Sequence, residues 1–194
     1  LKGLTRWVTC ESPTWDTAAV NRMMDIVGHD LAIMGAAVER IPGRMGLGDS
    51  VRARFPHPKA GEPGILILAH LDTVHPIGTI EKLPIKREDE ICYGPGICDM
   101  KGGGYLALEA IRVLARLGID TKLPVTVLFT PDEEIGTPSV RELIEAEAAR
   151  SKAVLVPEPG RPDGGVTSGR FAIARFDLAT IGKPSHAGAR LKEG

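Results

Sequence analysis

The sequence predicts an α/β fold in which a parallel sheet is covered by helices on both faces. Three short runs consist mostly of apolar residues, as expected of central strands: 65–69, 125–130 and 153–156. The segments between them carry apolar residues at helical spacing. An alternation of strand and helix implies parallel pairing with right-handed crossovers, which carry the helices to both faces of the sheet.

The first helix is predicted to begin at Ser12-Pro13-Thr14, since Ser is a preferred cap and Pro a preferred first helical residue. Gly35 is expected to end it. Its predicted buried face consists of Val20, Met23, Met24, Val27, Leu31 and Met34. Two alternating segments, 37–41 and 50–55, are predicted to be strands.

The second half of the chain gives the clearest helix signal. Residues 102–117 carry an apolar face and end before Gly118, which favours a helix with a glycine cap. Another helix is predicted from Thr137-Pro138 to about Arg150, and a strand from Arg175 to Thr180. The connection 73–89 is long, and loops of this length are usually functional or disordered.

Composition excludes several classes of partner. The 194 residues include 24 basic and 25 acidic ones, so the net charge of −1 gives no electrostatic case for binding nucleic acid or an anionic membrane. No apolar run approaches the ~20 residues of a membrane span. Three cysteines are an odd number and favour a reducing compartment. No signal peptide is visible, although the sequence does not begin with an initiator methionine and its first residue is Leu1. On these observations we expect a cytoplasmic protein.

The most informative motif is His70-Leu71-Asp72, at the end of the apolar run 64–69. Residues two apart in a strand point to the same side, which allows Asp72 to hold the imidazole nitrogen that does not bind metal. By itself, a histidine in this position is more often a hydrogen-bonded turn residue than a ligand.

Three further acidic positions follow apolar runs or glycine turns. They are Asp99, the pair Glu133-Glu134 and Glu158. Carboxylates at the C-terminal ends of strands lie where open α/β sheets place their sites. Because converging carboxylates repel one another, they indicate a bound cation. Each acid has an ordinary explanation as a helix cap, a first-turn charge or an exposed turn residue, and only the whole set favours a site.

Together these motifs resemble the catalytic domain of the M20 family of dizinc metallopeptidases, in its glutamate carboxypeptidase-like branch. The resemblance covers nearly the whole chain, in the family's order. It is carried by His70-x-Asp72-Thr73-Val74, Tyr93-Gly94-Pro95-Gly96-x-x-Asp99-x-Lys101-Gly102-Gly103, Thr130-x-Asp132-Glu133-Glu134-x-Gly136, Glu158-Pro159 and Gly182-Lys183-x-Ser185-His186-Ala187-Gly188. It implies a three-layer sandwich with a mostly parallel mixed sheet and helices on both faces, followed by the start of a lid domain.

The resemblance also implies a site with two zinc ions, with cobalt or manganese as alternatives. Asp99 would bridge the ions, His70 and Glu158 would complete one, and Glu134 would serve the other. Glu133 would be the general base towards the metal-bridging water, and Asp72 would be the second catalytic residue through its hold on His70. A cis peptide bond between Asp99 and Met100 is implied as well.

In the family, the second ion takes another histidine from a segment that returns from the lid. None of the histidines at 29, 57, 70, 75 and 186 lies where that ligand belongs. We therefore interpret the sequence as a fragment, inactive alone, with 1–168 the first part of the catalytic domain and 169–194 the beginning of the lid and dimerisation domain. His75 is expected on a loop or rim. His186 resembles the lid histidine that reaches across a dimer to polarise the substrate carbonyl, with a turn residue as the alternative.

The predicted function is metal-dependent hydrolysis of an amide bond in a small substrate with a free carboxylate, a small peptide or an N-acyl amino acid. The full-length protein is expected to be a homodimer. One alternative is an M20 deacylase of the acetylornithine deacetylase or succinyl-diaminopimelate desuccinylase type. Another is a non-catalytic binding protein on the same fold, against which the presence of Glu133 argues.

Overall fold

The structure is a computed structural model that describes residues 1–169, 171, 176–179, 181–186, 188–190 and 192. The chain forms two compact units, Leu1–Gly160 and Arg161–Gly194. The helices of the first unit are α1 (Lys2–Thr9), α2 (Thr17–Ile33), α3 (Thr79–Lys82), α4 (Gly102–Arg116) and α5 (Arg141–Ala149). Its strands are β1 (Ala37–Ile41), β2 (Ser50–Arg54), β3 (Gly64–His70), β4 (Lys86–Glu88), β5 (Ile91–Tyr93), β6 (Val125–Thr130) and β7 (Ser151–Leu155).

A five-stranded mixed sheet in the order β1-β2-β6-β3-β7 forms the centre of the first unit. β3 pairs in parallel with both β6 and β7, and β2 pairs antiparallel with β1 and β6. The α/β class and the mixed sheet are therefore as predicted. The long connection 73–89 is partly ordered, because it contains α3 and the first strand of the separate β4-β5 hairpin.

The strand order reverses direction at β3. The chain passes from β3 through α4 to β6 on one side, and then through α5 to β7 on the other side of β3. Because such crossovers are right-handed, the two opposite directions place α4 and α5 on opposite faces. Ligand sites of open α/β sheets lie beyond the carboxyl ends of strands at such a reversal. His70, the last residue of β3, occupies that position.

The core confirms most of the predicted buried face of α2. The buried residues are Val20, Met23, Met24, Val27 and Leu31, whereas Met34 follows the last helical residue and is half-buried. The sequence did not predict α1, which adds Trp7 to this core. The Trp7 ring packs edge-on against Tyr105 of α4 and Phe129 of β6, with ring centroids 5.2 and 5.7 Å away. This packing fixes α1 against the sheet and α4.

The predicted start of the first helix at Ser12 is wrong. α2 begins at Thr17, and its cap is Asp16, whose side chain accepts a hydrogen bond from the backbone N–H of Ala19 at 2.9 Å. The Ser12 hydroxyl instead donates to the backbone oxygen of Leu71 at 2.6 Å. A tertiary partner thus replaces the local capping role that the sequence suggested.

Two further elements differ from their predictions. α5 begins at Arg141, later than Thr137-Pro138. β7 was predicted to be a central strand, but among the described strands it pairs only with β3, and Val154 and Leu155 are 40% and 53% exposed. An apolar run indicates that both faces of a strand are buried, but it does not show which other segments of the protein cover them.

The strand predicted from Arg175 to Thr180 begins and ends on residues outside the described part of the chain, and residues 176–179 have no regular secondary structure. Within the described residues, no helix is both long enough and apolar enough to cross a membrane.

Candidate metal centre

His70 lies at the centre of the candidate site. Its side chain is 1% exposed, and its backbone N–H donates to the Sδ of Met100 at 3.2 Å. The ring Nδ1 lies 3.0 Å from the backbone oxygen of Asp72 and 3.3 Å from Asp72 Oδ1. Asp72 thus holds one ring nitrogen, as predicted from the two-residue spacing, and leaves Nε2 directed towards the acidic side chains.

Carboxylates converge on that nitrogen. His70 Nε2 lies 2.9 Å from Asp99 Oδ1, 3.5 Å from Glu158 Oε1 and 3.8 Å from Glu133 Oε2. Glu134 completes the cluster, because ligand atoms of His70, Asp99 and Glu134 all lie within 4.8 Å of one another. The same holds for His70, Glu133 and Glu158. The structure therefore brings together the residues that the resemblance implied as metal ligands and general base, and their roles stay predictions.

The electrostatics of this cluster suit a cation. Burial lowers the pKa of His70, but its hydrogen bond with Asp72 and the charges of Asp72, Glu133 and Glu158 outweigh burial and raise the pKa to about 9. Burial, and then the negative charge of Asp99, raises the pKa of Glu134. One imidazole nitrogen with several carboxylate oxygens is a donor set that zinc, cobalt and manganese accept. These residues fit a divalent metal centre.

Asp72 connects the two sides of the cluster. Its buried carboxylate accepts hydrogen bonds from the Thr14 hydroxyl at 2.8 Å, from the backbone N–H of Glu133 at 3.2 Å and from that of Glu134 at 3.3 Å. It therefore fixes the turn that carries both glutamates as well as the ring of His70. Sequence reasoning found only the second of these contacts, and it missed Thr14.

The turn that carries Asp99 is anchored by the residues after it. The Asp99–Met100 peptide bond is cis, as the resemblance implied. Lys101 is buried, and its ammonium donates to the backbone oxygens of Cys10 at 2.7 Å and Trp7 at 3.3 Å, at the C-terminal end of α1. Burial lowers the pKa of Lys101 to about 8. Sequence reasoning gave this lysine no separate role, and α1 itself was not predicted.

The glycines after Lys101 permit close backbone contacts. A Cβ atom at Gly102 would lie 2.5 Å from the carbonyl oxygen of Ile97, and one at Gly103 would lie 1.7 Å from that of Pro157. The second contact brings the start of α4 against the residue before Glu158. These glycines therefore permit a close backbone approach, and only a residue without a side chain fits there.

A buried carboxylate stands beside the cluster without joining it. Asp132 Oδ2 accepts hydrogen bonds from the backbone N–H and the hydroxyl of Ser139, at 2.8 and 2.7 Å, while Oδ1 has no partner among the described residues. Burial raises the pKa of Asp132. Its contacts tie the turn before Glu133 to the segment that leads into α5.

Other candidates lie outside the cluster or cannot be related to it. Among the described residues, His75 belongs to neither potential metal-binding group, and Cys98 is exposed. His186 lies in the second compact unit, where its Nδ1 accepts hydrogen bonds from the backbone N–H groups of Gly188 at 3.2 Å and Ala189 at 3.1 Å. Its substrate-binding role stays a prediction.

Fold and site together define an α/β domain with a candidate metal centre, and comparison with known proteins gives its family. The family model "Peptidase family M20/M25/M40" matches residues 66–187, and the chain belongs to this family. It is 32% identical over 191 residues to carboxypeptidase G2 from Pseudomonas sp. (strain RS-16), a match that covers 97% of this chain and 46% of that protein.

Two further proteins are similar to this chain, one in sequence and one in fold. Acetylornithine deacetylase from Myxococcus xanthus is 31% identical over 103 residues, which cover 53% of this chain and 26% of the deacetylase. The M20 family metallo-carboxypeptidase Sso-CP2 from Sulfolobus solfataricus shares the fold with a TM-score of 0.68 at 20% identity, over 84% of this chain and 38% of that one. The chain thus spans less than half the length of each of these relatives.

Proposed function

We propose that the protein containing this chain hydrolyses an amide bond in a small peptide or N-acyl amino acid with a free carboxylate, as a glutamate carboxypeptidase does. The observation that carries the proposal is the convergence of Asp99, Glu134 and Glu158 on the buried His70, with Glu133 beside them. The likeness to carboxypeptidase G2 supports this substrate class.

The proposed cofactor is a pair of zinc ions, with cobalt or manganese as alternatives. His70, Asp99 and Glu158 would hold one ion, and Asp99 and Glu134 the other. When bound, zinc lowers the pKa of water and stabilises negative charge on the carbonyl oxygen. Because imidazole is a better zinc ligand than water, we expect the longer protein to add a histidine to the second position.

Glu133 is the proposed general base. Its side chain is 50% exposed, so a water molecule can reach the carboxylate, while the Asp72 contact fixes its backbone. The carboxylate accepts a proton from the attacking water and passes it to the leaving nitrogen. Asp72 positions His70 and Glu133 without meeting the substrate.

The remaining parts of the proposal concern the longer protein. Residues 1–168 would form the first part of the catalytic domain and 169–194 the start of a lid through which the protein dimerises. His186 would polarise the substrate carbonyl from that lid. The fragment alone would then lack turnover.

Glu133→Gln in the full-length, metal-loaded protein tests the central assignment. Because an amide cannot accept the proton of water, we expect kcat to fall about 10²–10⁴-fold while bound zinc, measured by mass spectrometry, stays at the wild-type ratio. Glu62→Gln, at an exposed glutamate outside the site, is the control and should leave both unchanged. A loss of zinc in step with activity would make Glu133 a ligand instead.

A deacylase is the second candidate, because the chain also resembles acetylornithine deacetylase. Turnover of N-acetylornithine above that of N-acylglutamates by the wild-type protein would favour it. A non-catalytic binding protein on this fold would hydrolyse neither substrate while still binding zinc.

A further inference from the structure

An apolar cleft lies directly beside the candidate metal centre. It encloses about 340 Å³, within the range of small-molecule sites, and its lining includes Trp15, Val74, Pro76, Ile135 and Glu134. We call it the Trp15 cleft. Glu134 belongs to both the cleft and the acidic cluster, so a molecule that reaches the metal centre also reaches this wall.

The exposed side chains of the cleft are unusual for their type. Trp15 is 76% exposed and Val74 is 67% exposed. A tryptophan normally buries most of its surface, and the other tryptophan of the chain, Trp7, is fully buried in the core. An exposed indole beside a candidate active site is the kind of surface that binds a flat apolar group.

The cleft wall is fixed to the metal site by hydrogen bonds. Thr73 N–H donates to Ser12 O at 2.9 Å, and Thr14 N–H donates to Thr73 O at 3.3 Å. The Thr14 hydroxyl also donates to the carboxylate of Asp72. Trp15 and Val74 each follow one of these paired residues, so their backbones hold fixed positions relative to the metal cluster.

The charge of the lining decides what it can bind. Among the described residues that line the cleft, the one charged side chain is Glu134, an anion. None of these lining side chains is a cation that could pair with a free carboxylate, so a neutral apolar group is favoured. If the substrate carries its carboxylate on the leaving amino acid, the group that enters the cleft belongs to the acyl side of the scissile bond.

We propose that the Trp15 cleft is the binding site for an apolar acyl group, aromatic groups above all, on the acyl side of the amide substrate. The inference rests on the proposed amide hydrolysis. It makes Trp15 and Val74 determinants of substrate choice, through stacking on the indole and burial against the valine.

The kinetic test compares N-benzoylglutamate with N-acetylglutamate in the full-length, metal-loaded protein. Trp15→Ala should lower the ratio of kcat/KM for the benzoyl substrate to that for the acetyl substrate about tenfold, mainly through KM. Trp15→Phe should keep most of the ratio, because it retains a ring. Ile33→Ala, which removes an exposed apolar side chain outside the cleft, is the control and should leave the ratio unchanged. An unchanged ratio in Trp15→Ala would overturn the proposal.

A binding test separates this proposal from the proposed function. The Trp15 fluorescence is isolated as the difference between the Glu133→Gln protein and the Glu133→Gln protein that also carries Trp15→Phe. This difference should change when N-benzoylglutamate is added and should stay constant with N-acetylglutamate. If this difference responds while the wild type hydrolyses neither compound, the cleft stands and the proposed hydrolysis fails. A spectrum typical of a fully buried indole before ligand is added would show that another segment of the protein fills the cleft, and the proposal would fail.

Discussion

Asp72 holds more of the candidate site together than any ligand does, and Asp72→Asn tests that dependence. One carboxylate oxygen, Oδ1, lies near the ring nitrogen of His70 and accepts from Glu133 N–H. The other, Oδ2, accepts from the Thr14 hydroxyl and from Glu134 N–H. The substitution preserves shape but turns one of these acceptors into an NH₂ donor.

The loss follows from that geometry. Whichever way the amide is turned, its NH₂ group faces a backbone N–H, that of Glu133 or that of Glu134. One hydrogen bond to a charged acceptor disappears, worth about 1.5–3 kcal/mol. For a domain of this size, that corresponds to a fall in Tm of roughly 3–10 °C. Because partners behind a metal-binding histidine typically contribute 10–100-fold in metal affinity, zinc affinity should fall by about that factor.

The assay is calorimetric unfolding of the metal-free protein together with zinc titration against a chromophoric chelator. Thr14→Val is the matched control: it removes one donor to Asp72 and keeps the carboxylate, so it should lower Tm less and leave zinc affinity within about threefold of wild type. Wild-type zinc affinity in Asp72→Asn would refute the view that Asp72 orients the site. Equal changes in Tm and in zinc affinity in the two variants would mean that Asp72 contributes to stability alone.

Two further predictions concern a glycine contact and a titration. Gly103→Ala should displace Pro157 and with it Glu158, the proposed ligand that follows, and so weaken zinc binding about tenfold or more. Gly104→Ala should bind zinc as the wild type does, since its Cβ meets nothing closer than 3.4 Å. Equal zinc affinities of the two variants in a titration would contradict this prediction. In the metal-free protein, His70 has a pKa of about 9 against 6.5 for an unperturbed histidine, so the folded state binds more protons between these values. Its contribution to the free energy of unfolding is complete below pH 6.5 and is lost as pH rises towards 9. His70→Gln should therefore weaken the pH dependence of the denaturation midpoint between pH 6.5 and 9. The same slope of midpoint against pH as in the wild type would count against this prediction.

Local patterns in the sequence were enough to predict the main elements around the site. The runs that became β3 and β6, and the periodic segment that became α4, carry their signal in neighbouring residues, because pleat and helix periods are local properties. The ordered set of His70, Asp99 and the glutamates also indicated one acidic centre, since strand ends at one edge of a sheet lie close together.

Tertiary contacts decided what local patterns could not. Ser12-Pro13-Thr14 has the composition of a helix start, but its hydroxyls bond to residues 59 and 58 positions away, at Leu71 and Asp72. A hydrogen-bond donor has no sequence signal that distinguishes a local acceptor from a distant one. The run that became β7 likewise predicted burial, while its neighbours in the sheet determined how much of it is buried.

The same division applies within the site. The types of its ligands could be predicted from the sequence, because imidazole and carboxylate chemistry belongs to the residue itself. Other contacts could be found only in the folded chain. Asp72 accepts hydrogen bonds from the N–H groups of two glutamates, and Lys101 donates to a backbone oxygen at the end of α1. Hydrogen bonds and electrostatic interactions depend on distances of a few ångströms between residues far apart in sequence, and only the folded structure sets those distances.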